Sequence, residues 1–195
     1  MSASTRMAEH LRGLAAAATE VAASCEAQLA ELAEDVLATL ASGNKLMFCG
    51  NGGSAADAQH LATEYVVRFR RNGRALAALA LTTDTSLLTA AANDLGFEEV
   101  FARQVEALGR PGDLLFLHST SGNSPNLLAA ARAARANGVR TIALLARGGG
   151  ELRDLVDRAL VLPVQDGAHA QELHLAIGHA LCEEVDARLR GGTTA

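Results

Sequence analysis

The first stretch of the chain, residues 4–42, carries apolar side chains at helical spacing. Leucine, valine and alanine recur every three or four positions, and the stretch contains no proline and only one glycine, Gly13. This pattern predicts one or two long helices that end at Ser42-Gly43-Asn44, a typical helix stop. Their alanine-rich apolar stripe requires a partner, which is either the rest of the same domain or another subunit.

After residue 42 the pattern changes to short apolar runs that alternate with longer helical stretches. Alternating β and α segments with fully apolar strands are typical of a parallel sheet that has helices on both faces. The sequence therefore predicts an α/β fold, in one domain that spans 1–195. The predicted strands are 46–49, 77–81, 114–117, 141–145 and 159–162, and the predicted helices lie near 54–70, 97–108, 124–137 and 168–190.

Composition and charge exclude several classes of function. Aromatic residues make up 3% of the 195 residues and the formal net charge is −5, so a basic or base-stacking nucleic-acid surface is not expected. No apolar run approaches the roughly 20 residues of a membrane span, and residues 1–14 do not resemble a signal peptide. The three cysteines are widely spaced, with no CxxC motif, which favours a reduced, cytoplasmic protein.

Two polar loops follow predicted strands, at the edge where open α/β sheets bind ligands. The first is GNGGS at 50–54, and the second is STSGNS at 119–124. Glycine backbone, hydroxyls and the first N–H groups of the following helix can together hold a phosphate without lysine or arginine. Helix capping is the simpler role, above all for Ser124, which precedes Pro125. Neither loop has a P-loop or dinucleotide-binding pattern, so we expect no nucleotide or redox cofactor.

Polar side chains also recur on two of the predicted helices. His60 and Glu64 are four residues apart and share one helix face, while Gln171 and His179 share a stripe on the last helix. A histidine and a carboxylate at this spacing suit metal binding or acid–base catalysis, although a solvated helix face is the simpler alternative. Two such sets beside two phosphate-type loops favour the chemical interpretation.

The remaining histidines receive simpler interpretations. His174 has the apolar neighbours Leu173 and Leu175, so we expect it in the core, where it would orient a partner. His10 and His169 are interpreted as surface residues.

In these motifs the sequence resembles the phosphoheptose isomerases, a branch of the sugar-isomerase (SIS) domain family. The resemblance covers nearly the whole chain, with each motif in the expected order and spacing. The matching strings are CGNGGS at 49–54, DAQH at 57–60 followed by Glu64, AND at 92–94, STSGNS at 119–124, and QELH at 171–174 followed by His179.

The resemblance implies a three-layer α/β/α sandwich around a five-stranded parallel sheet. It also implies a homotetramer in which the helices of residues 4–42 form a central bundle. The implied reaction interconverts sedoheptulose 7-phosphate and D-glycero-D-manno-heptose 7-phosphate. This ketose–aldose exchange moves a proton between adjacent carbons through an enediol(ate), so it needs an acid and a base.

The resemblance also assigns roles to individual positions. Glu64 and His179 correspond to the acid–base pair, and the implied Zn²⁺ ligands are His60, Glu64, Gln171 and His179. The implied substrate-binding positions are Asn51, Gly52, Gly53, Ser54, Arg68, Asn93, Asp94, Ser119, Thr120, Ser121, Ser124 and Gln171. The sequence departs from the family pattern at His118, where a small or aliphatic residue is usual, and at His169-Ala170, where the family has Arg-Ile. These departures concern substrate specificity more than reaction type.

Two alternative functions share this fold. One is a non-catalytic tetramer that binds a replication-initiator protein, and the other is a module that senses sugar phosphates. His179 and Ser121 favour the enzyme over the first, because that branch lacks the histidine and carries a bulky basic residue at the position of Ser121. The presence of both members of the acid–base pair favours it over the second.

Overall fold

The computed structural model of the chain describes residues 2–191 and contains a five-stranded, all-parallel sheet. The strands run in the spatial order β2-β1-β3-β4-β5, and in the central register Phe48 lies beside Phe116. This sheet confirms the predicted α/β class. The strands are β1 (Leu46–Gly50), β2 (Ala78–Ala80), β3 (Leu114–Ser119), β4 (Arg140–Leu145) and β5 (Arg158–Val161).

Helices cover both faces of the sheet, which gives three layers. One apolar cluster joins the sheet to α2, α3 and α8, and the other joins its opposite face to α5 and α6. The helices within the described residues are α1 (Ala3–Ser24), α2 (Glu26–Ala41), α3 (Gly53–Val66), α4 (Thr85–Asp94), α5 (Ala102–Leu108), α6 (Pro125–Ala136), α7 (Leu152–Leu155) and α8 (Gly167–Leu189). None of them is long and apolar enough to cross a bilayer.

The structure differs from the sequence prediction at several helices. Helices α4 and α7 were not predicted, since each places only one side chain in the core. The predicted helix at 97–108 is a 3₁₀ turn at Phe97–Glu99 followed by α5. Helix α3 ends at Val66 and not at residue 70, and the chain then enters a loop that is held by contacts distant in sequence.

The two N-terminal helices differ in how far the domain covers them. Helix α2 buries Leu32, Val36 and Leu40 in the core of the domain, as one of the two sequence interpretations expected. Helix α1 buries only Val21. Met7 and Leu11 remain 70% and 64% exposed, so the outer part of the α1 stripe has no cover within residues 2–191.

His118 and His174 lie buried between the sheet and α8. His118 is 1% exposed, and neither of its ring nitrogens has a hydrogen-bond partner within residues 2–191. Burial, reinforced by the nearby His174, lowers the pKa of His118 to about 3. Burial also lowers the pKa of His174 to about 4, with the Leu145 backbone opposing part of that shift. Both rings are therefore neutral in the folded protein.

This burial predicts an acid-sensitive stability. Below a pH of about 6.5 the unfolded chain binds protons at both histidines while the folded chain does not, so stability is lost as pH falls towards 4. Each histidine contributes a loss of about 2 kcal/mol between pH 7 and pH 5. In His118→Leu, the free energy of unfolding measured with denaturant should fall by about 2 kcal/mol less between pH 7 and pH 5 than it does in the wild type. An equal fall in the free energy of unfolding between the two pH values for both proteins would contradict the prediction.

Candidate active site

The strand order creates a crevice at one end of the sheet. From β1 the chain passes to β2 on one side of it and then to β3 on its other side, and β4 and β5 follow outward. In sheets of this topology ligands bind between the two strands at which the order reverses, here β1 and β3, beyond the carboxyl ends of the strands. The loops that follow β1 and β3 are the two polar loops identified from the sequence. They therefore lie side by side, each leading into a helix, α3 or α6.

A pair of asparagines joins the two loops. Asn51 Nδ2 donates to Asn126 Oδ1 at 2.9 Å, and Asn126 Nδ2 donates back to Asn51 Oδ1 at 2.8 Å. Asn51 was expected to contact the sugar, and the structure shows that its amide is held by Asn126. Both residues line a cavity of about 190 Å³ together with Ser124 and Phe97. This pair fixes the spacing of the loops across the crevice.

The serine loop is shaped by its own hydrogen bonds and by a glycine-rich segment behind it. Ser119 Oγ accepts from Gly122 N at 3.0 Å, and Ser121 Oγ accepts from Asn123 N at 3.3 Å. A Cβ at Gly122 would lie 1.8 Å from the Gly149 carbonyl oxygen, so the two segments are in direct backbone contact. This support holds the loop in one conformation.

Three hydroxyls of the two loops make no hydrogen bond to residues 2–191: those of Ser54, Thr120 and Ser124. Ser124 occupies the N-cap position of α6, yet its side chain makes no capping bond. The structure therefore gives the Ser124 hydroxyl no capping bond, contrary to the simpler interpretation of the sequence. These hydroxyls are free to bind an anion, as are the backbone N–H groups of Gly53 and Asn126, which make no hydrogen bond within residues 2–191.

His60, Glu64 and His179 form a compact cluster where α3 faces α8. His60 Nε2 lies 2.7 Å from His179 Nε2 and 3.3 Å from Glu64 Oε1. Burial, with a further effect of His60, lowers the pKa of His179, and Glu64 opposes the shift. One donor atom from each of the three lies within 4.8 Å of the others, so the set has the size and chemistry of a metal site.

A close helix contact brings the cluster together. Next to His179 is Gly178, and a Cβ placed there would lie 2.4 Å from Cδ2 of Leu61, the neighbour of His60. Leu61 is 2% exposed and packed in the core, so it has no room to move aside. The absence of a side chain at 178 therefore sets the distance between the two histidines.

The loop after α3 reaches the cluster from one side. Phe69 stacks on the His179 ring with a centroid distance of 5.3 Å. Oδ2 of Asp186, a buried residue on α8, accepts the backbone N–H groups of Arg70 and Arg71 at 2.9 and 2.8 Å. Asp186 also pairs with buried Arg190 at 3.1 Å, and these contacts end α3 earlier than the sequence predicted.

Gln171 lies about two turns before His179 on α8, over the start of α3. A Cβ at Gly53 would lie 2.3 Å from Gln171 Oε1, so this glycine makes room for the amide. Burial raises the pKa of Asp57, with the Gln171 side chain and His60 opposing the shift. Asp57 and Phe69 are site residues that the sequence interpretation missed. Only Asp57 carried a signal, since it lies three residues before His60 on the same face.

Other expected site residues lie apart from the cluster. Arg68 is exposed in the loop beside Phe69 and makes no hydrogen bond or ion pair within the described chain. Asn93 donates to Asp94 at 2.7 Å at the end of α4, and no bond within residues 2–191 joins either of them to His60 or His179. Asp94 lines a separate cavity of about 550 Å³ between α4 and α5.

This sheet order, with a phosphate-type loop after β1 and after β3, agrees with the SIS class of domain. A family model described as SIS domain matches residues 9–146. Curated relatives include the phosphoheptose isomerase of Akkermansia muciniphila, which is 50% identical over 186 residues, or 95% of this chain and 94% of that one. The phosphoheptose isomerase of Nitratidesulfovibrio vulgaris is 55% identical over 159 residues, which are 82% of this chain and 76% of that one.

Solved structures agree with these matches. A phosphoheptose isomerase from Neisseria gonorrhoeae is 42% identical with a TM-score of 0.89, over 95% of this chain and 100% of that one. One from Francisella tularensis is 34% identical with a TM-score of 0.93, over 96% and 100%. The chain belongs to the phosphoheptose isomerase branch of the SIS domain family and is a sugar-phosphate isomerase. These relatives do not favour the initiator-binding or sensing alternatives.

The contact between Leu61 and Gly178 predicts the effect of one methyl group. Gly178→Ala should separate α3 from α8 and lower isomerase turnover by about tenfold or more, since small misplacements of reacting groups are costly. Adding Leu61→Ala should restore part of the turnover by making room. The measurement is the steady-state kcat of the folded variants.

Gly167→Ala is the matched control in the same helix. There the new Cβ would meet only the guanidinium end of exposed Arg147, at 2.7 Å, which can move aside. We expect turnover within about twofold of the wild type. Equal losses in Gly167→Ala and Gly178→Ala would contradict the role of the helix contact.

Proposed function

We propose that the chain interconverts sedoheptulose 7-phosphate and D-glycero-D-manno-heptose 7-phosphate. The observation that carries the proposal is the 2.7–3.3 Å cluster of His60, Glu64 and His179, on helices that border the crevice with its two anion-binding loops. The relatives named phosphoheptose isomerase support the same substrate class.

The substrate phosphate binds at the loops, held by neutral donors. Ser54, Thr120 and Ser124 have unengaged hydroxyls, and the N–H groups of Gly53 in α3 and Asn126 in α6 add backbone donors. The backbone around Gly52 and Gly53, with the hydroxyls of Ser119 and Ser121, completes the binding surface. The family pattern also assigns sugar contacts to Asn51, Arg68, Gln171, Asn93 and Asp94, of which the last two lie at the end of α4, away from the cluster within this chain.

Glu64 and His179 move the proton. The base removes a proton from C1 of the ketose while the acid protonates the carbonyl oxygen at C2, which gives the enediol. Return of a carbon-bound proton at C2 and loss of the hydroxyl proton at C1 produce the aldose with an unchanged formula, so no redox cofactor takes part. Burial lowers the pKa of His179, which favours the neutral ring that can accept a proton.

A metal ion fits the same cluster. We propose that His60, Glu64 and His179 hold Zn²⁺, with Gln171 as a fourth ligand. When bound, the ion polarises the substrate carbonyl and stabilises the charge that develops on its oxygen. The support is the donor set within 4.8 Å, two imidazoles and a carboxylate, which is a common ligand combination for zinc.

We also propose that the working unit is a cytoplasmic homotetramer of single-domain chains, with residues 4–42 as the oligomerisation segment. The exposed apolar side chains of α1, Met7 and Leu11, support this assembly, since the domain itself leaves them uncovered. The acidic net charge and the aromatic content of only 3% support small-molecule substrates over nucleic acid.

Removal of either proton-transfer group tests the reaction. His179→Ala and Glu64→Gln should each lower turnover of sedoheptulose 7-phosphate by about 100-fold or more, because each removes an acid–base group. Glu183→Gln is the control, since Glu183 is exposed on the same helix and pairs only with the Arg70 side chain. Unchanged turnover in folded His179→Ala would refute the assignment, and a panel of other ketose phosphates identifies the preferred substrate.

Metal removal tests the zinc proposal separately. Chelation of the purified enzyme should lower turnover, and added Zn²⁺ should restore it, because the ion stabilises charge on the substrate oxygen. His60→Ala should raise the zinc concentration that is needed to restore turnover, since it removes one ligand. Full turnover in a sample shown to be zinc-free by elemental analysis would remove the metal from the reaction.

A further inference from the structure

A second cluster of metal-binding side chains joins α1 to the first turns of α8. It consists of His10 on α1 and of His169 and Glu172 on α8, and we call it the α1–α8 cluster. His10 Nε2 lies 3.4 Å from Glu172 Oε1, and His169 Nε2 lies 3.2 Å from His10 Nδ1. The sequence interpretation placed both histidines on the surface, and the structure brings them together.

We propose that the α1–α8 cluster is a second zinc site, which fastens α1 to the domain. Two imidazoles and one carboxylate suit Zn²⁺, and one donor atom from each residue lies within 4.8 Å of the others. The edge of a zinc tetrahedron is about 3.3 Å for bonds of 2.0–2.1 Å, which matches the His10–Glu172 separation.

The surroundings of the cluster are shaped to hold the His169 ring against α1. A Cβ at Gly13, three residues after His10, would lie 2.7 Å from His169 Cε1, so the ring occupies space that any other residue would fill. At the start of α8, Asp166 accepts the backbone N–H of His169 at 3.1 Å and that of Ala168 at 2.8 Å. This carboxylate fixes the backbone that carries His169 and adds negative charge near the site.

The α1–α8 cluster is separate from the active-site cluster, although the two share α8. Gln171 and Glu172 are adjacent but project about 100° apart around the helix. Gln171 faces Gly53 at the start of α3, whereas Glu172 faces His10 on α1. The proposal therefore does not depend on the proposed function.

A metal at this position has a mechanical consequence. Helix α1 buries only Val21, so its N-terminal half has little apolar attachment to the domain. A bond from His10 through the ion to α8 would supply a fixed attachment there. Zinc should therefore slow amide hydrogen exchange in residues 8–18.

The test uses tag-free, chelator-treated full-length chain that carries His60→Ala and His179→Ala, which removes the active-site cluster. Zn²⁺ alone is the probe, with bound metal measured by elemental analysis and affinity by titration calorimetry. We expect one zinc per chain in this background. Adding His10→Ala or Glu172→Gln should weaken binding by about tenfold or more, as loss of a ligand requires.

Glu9→Gln is the matched control, since Glu9 neighbours His10 on α1 but lies outside the α1–α8 cluster. It should leave zinc affinity unchanged. Zinc should also slow exchange in residues 8–18 of the background variant and have no such effect once His10 is replaced. The proposal is overturned if the background variant binds no zinc, or if its zinc affinity is unaffected by His10→Ala and Glu172→Gln.

Discussion

The close contact of α3 with α8 at Leu61 and Gly178 is the constraint on which the site depends. A missing side chain at 178 lets the two helices approach until the neighbouring residues, His60 and His179, lie 2.7 Å apart. Glu64 then joins them from the next turn of α3. Because the contact is apolar and buried, it holds polar groups at short range without using any of their own hydrogen bonds. Helix packing therefore brings the three polar side chains of the cluster together.

A second constraint comes from the order of the strands. The reversal between β1 and β3 opens the crevice, and the Asn51–Asn126 pair then sets its width. Under the proposed function the phosphate would meet hydroxyls and backbone N–H groups there, which would let an acidic chain with a net charge of −5 bind an anionic sugar. Local dipoles at hydrogen-bond distance outweigh a diffuse negative field that solvent and salt screen.

The sequence predicted the sheet and the placement of His60 beside Glu64, because both depend on local patterns, whereas His179, 119 residues from His60, was grouped with them only through the family resemblance. Apolar runs mark the five strands, and the i,i+4 spacing places His60 beside Glu64. Contacts between distant segments were not predictable in this way. The end of α3 at Val66 depends on Asp186, which lies 115 to 116 residues from the N–H groups that it accepts. The Asn51–Asn126 pair and the meeting of His10 with His169 likewise exist only after folding.

Helix α8 shows why the apolar periodicity of a helix does not by itself predict which elements pack around it. Its residues meet a different neighbour on each side: His174 faces the core, Gln171 and His179 face α3, and Glu172 faces α1. Near its end, Asp186 and Arg190 hold the loop that carries Phe69. A helix that packs on several sides does not divide into one apolar and one polar face. The polar residues of α8 that contact other elements therefore mark the positions where the fold uses the helix to connect them, and they include members of both histidine clusters.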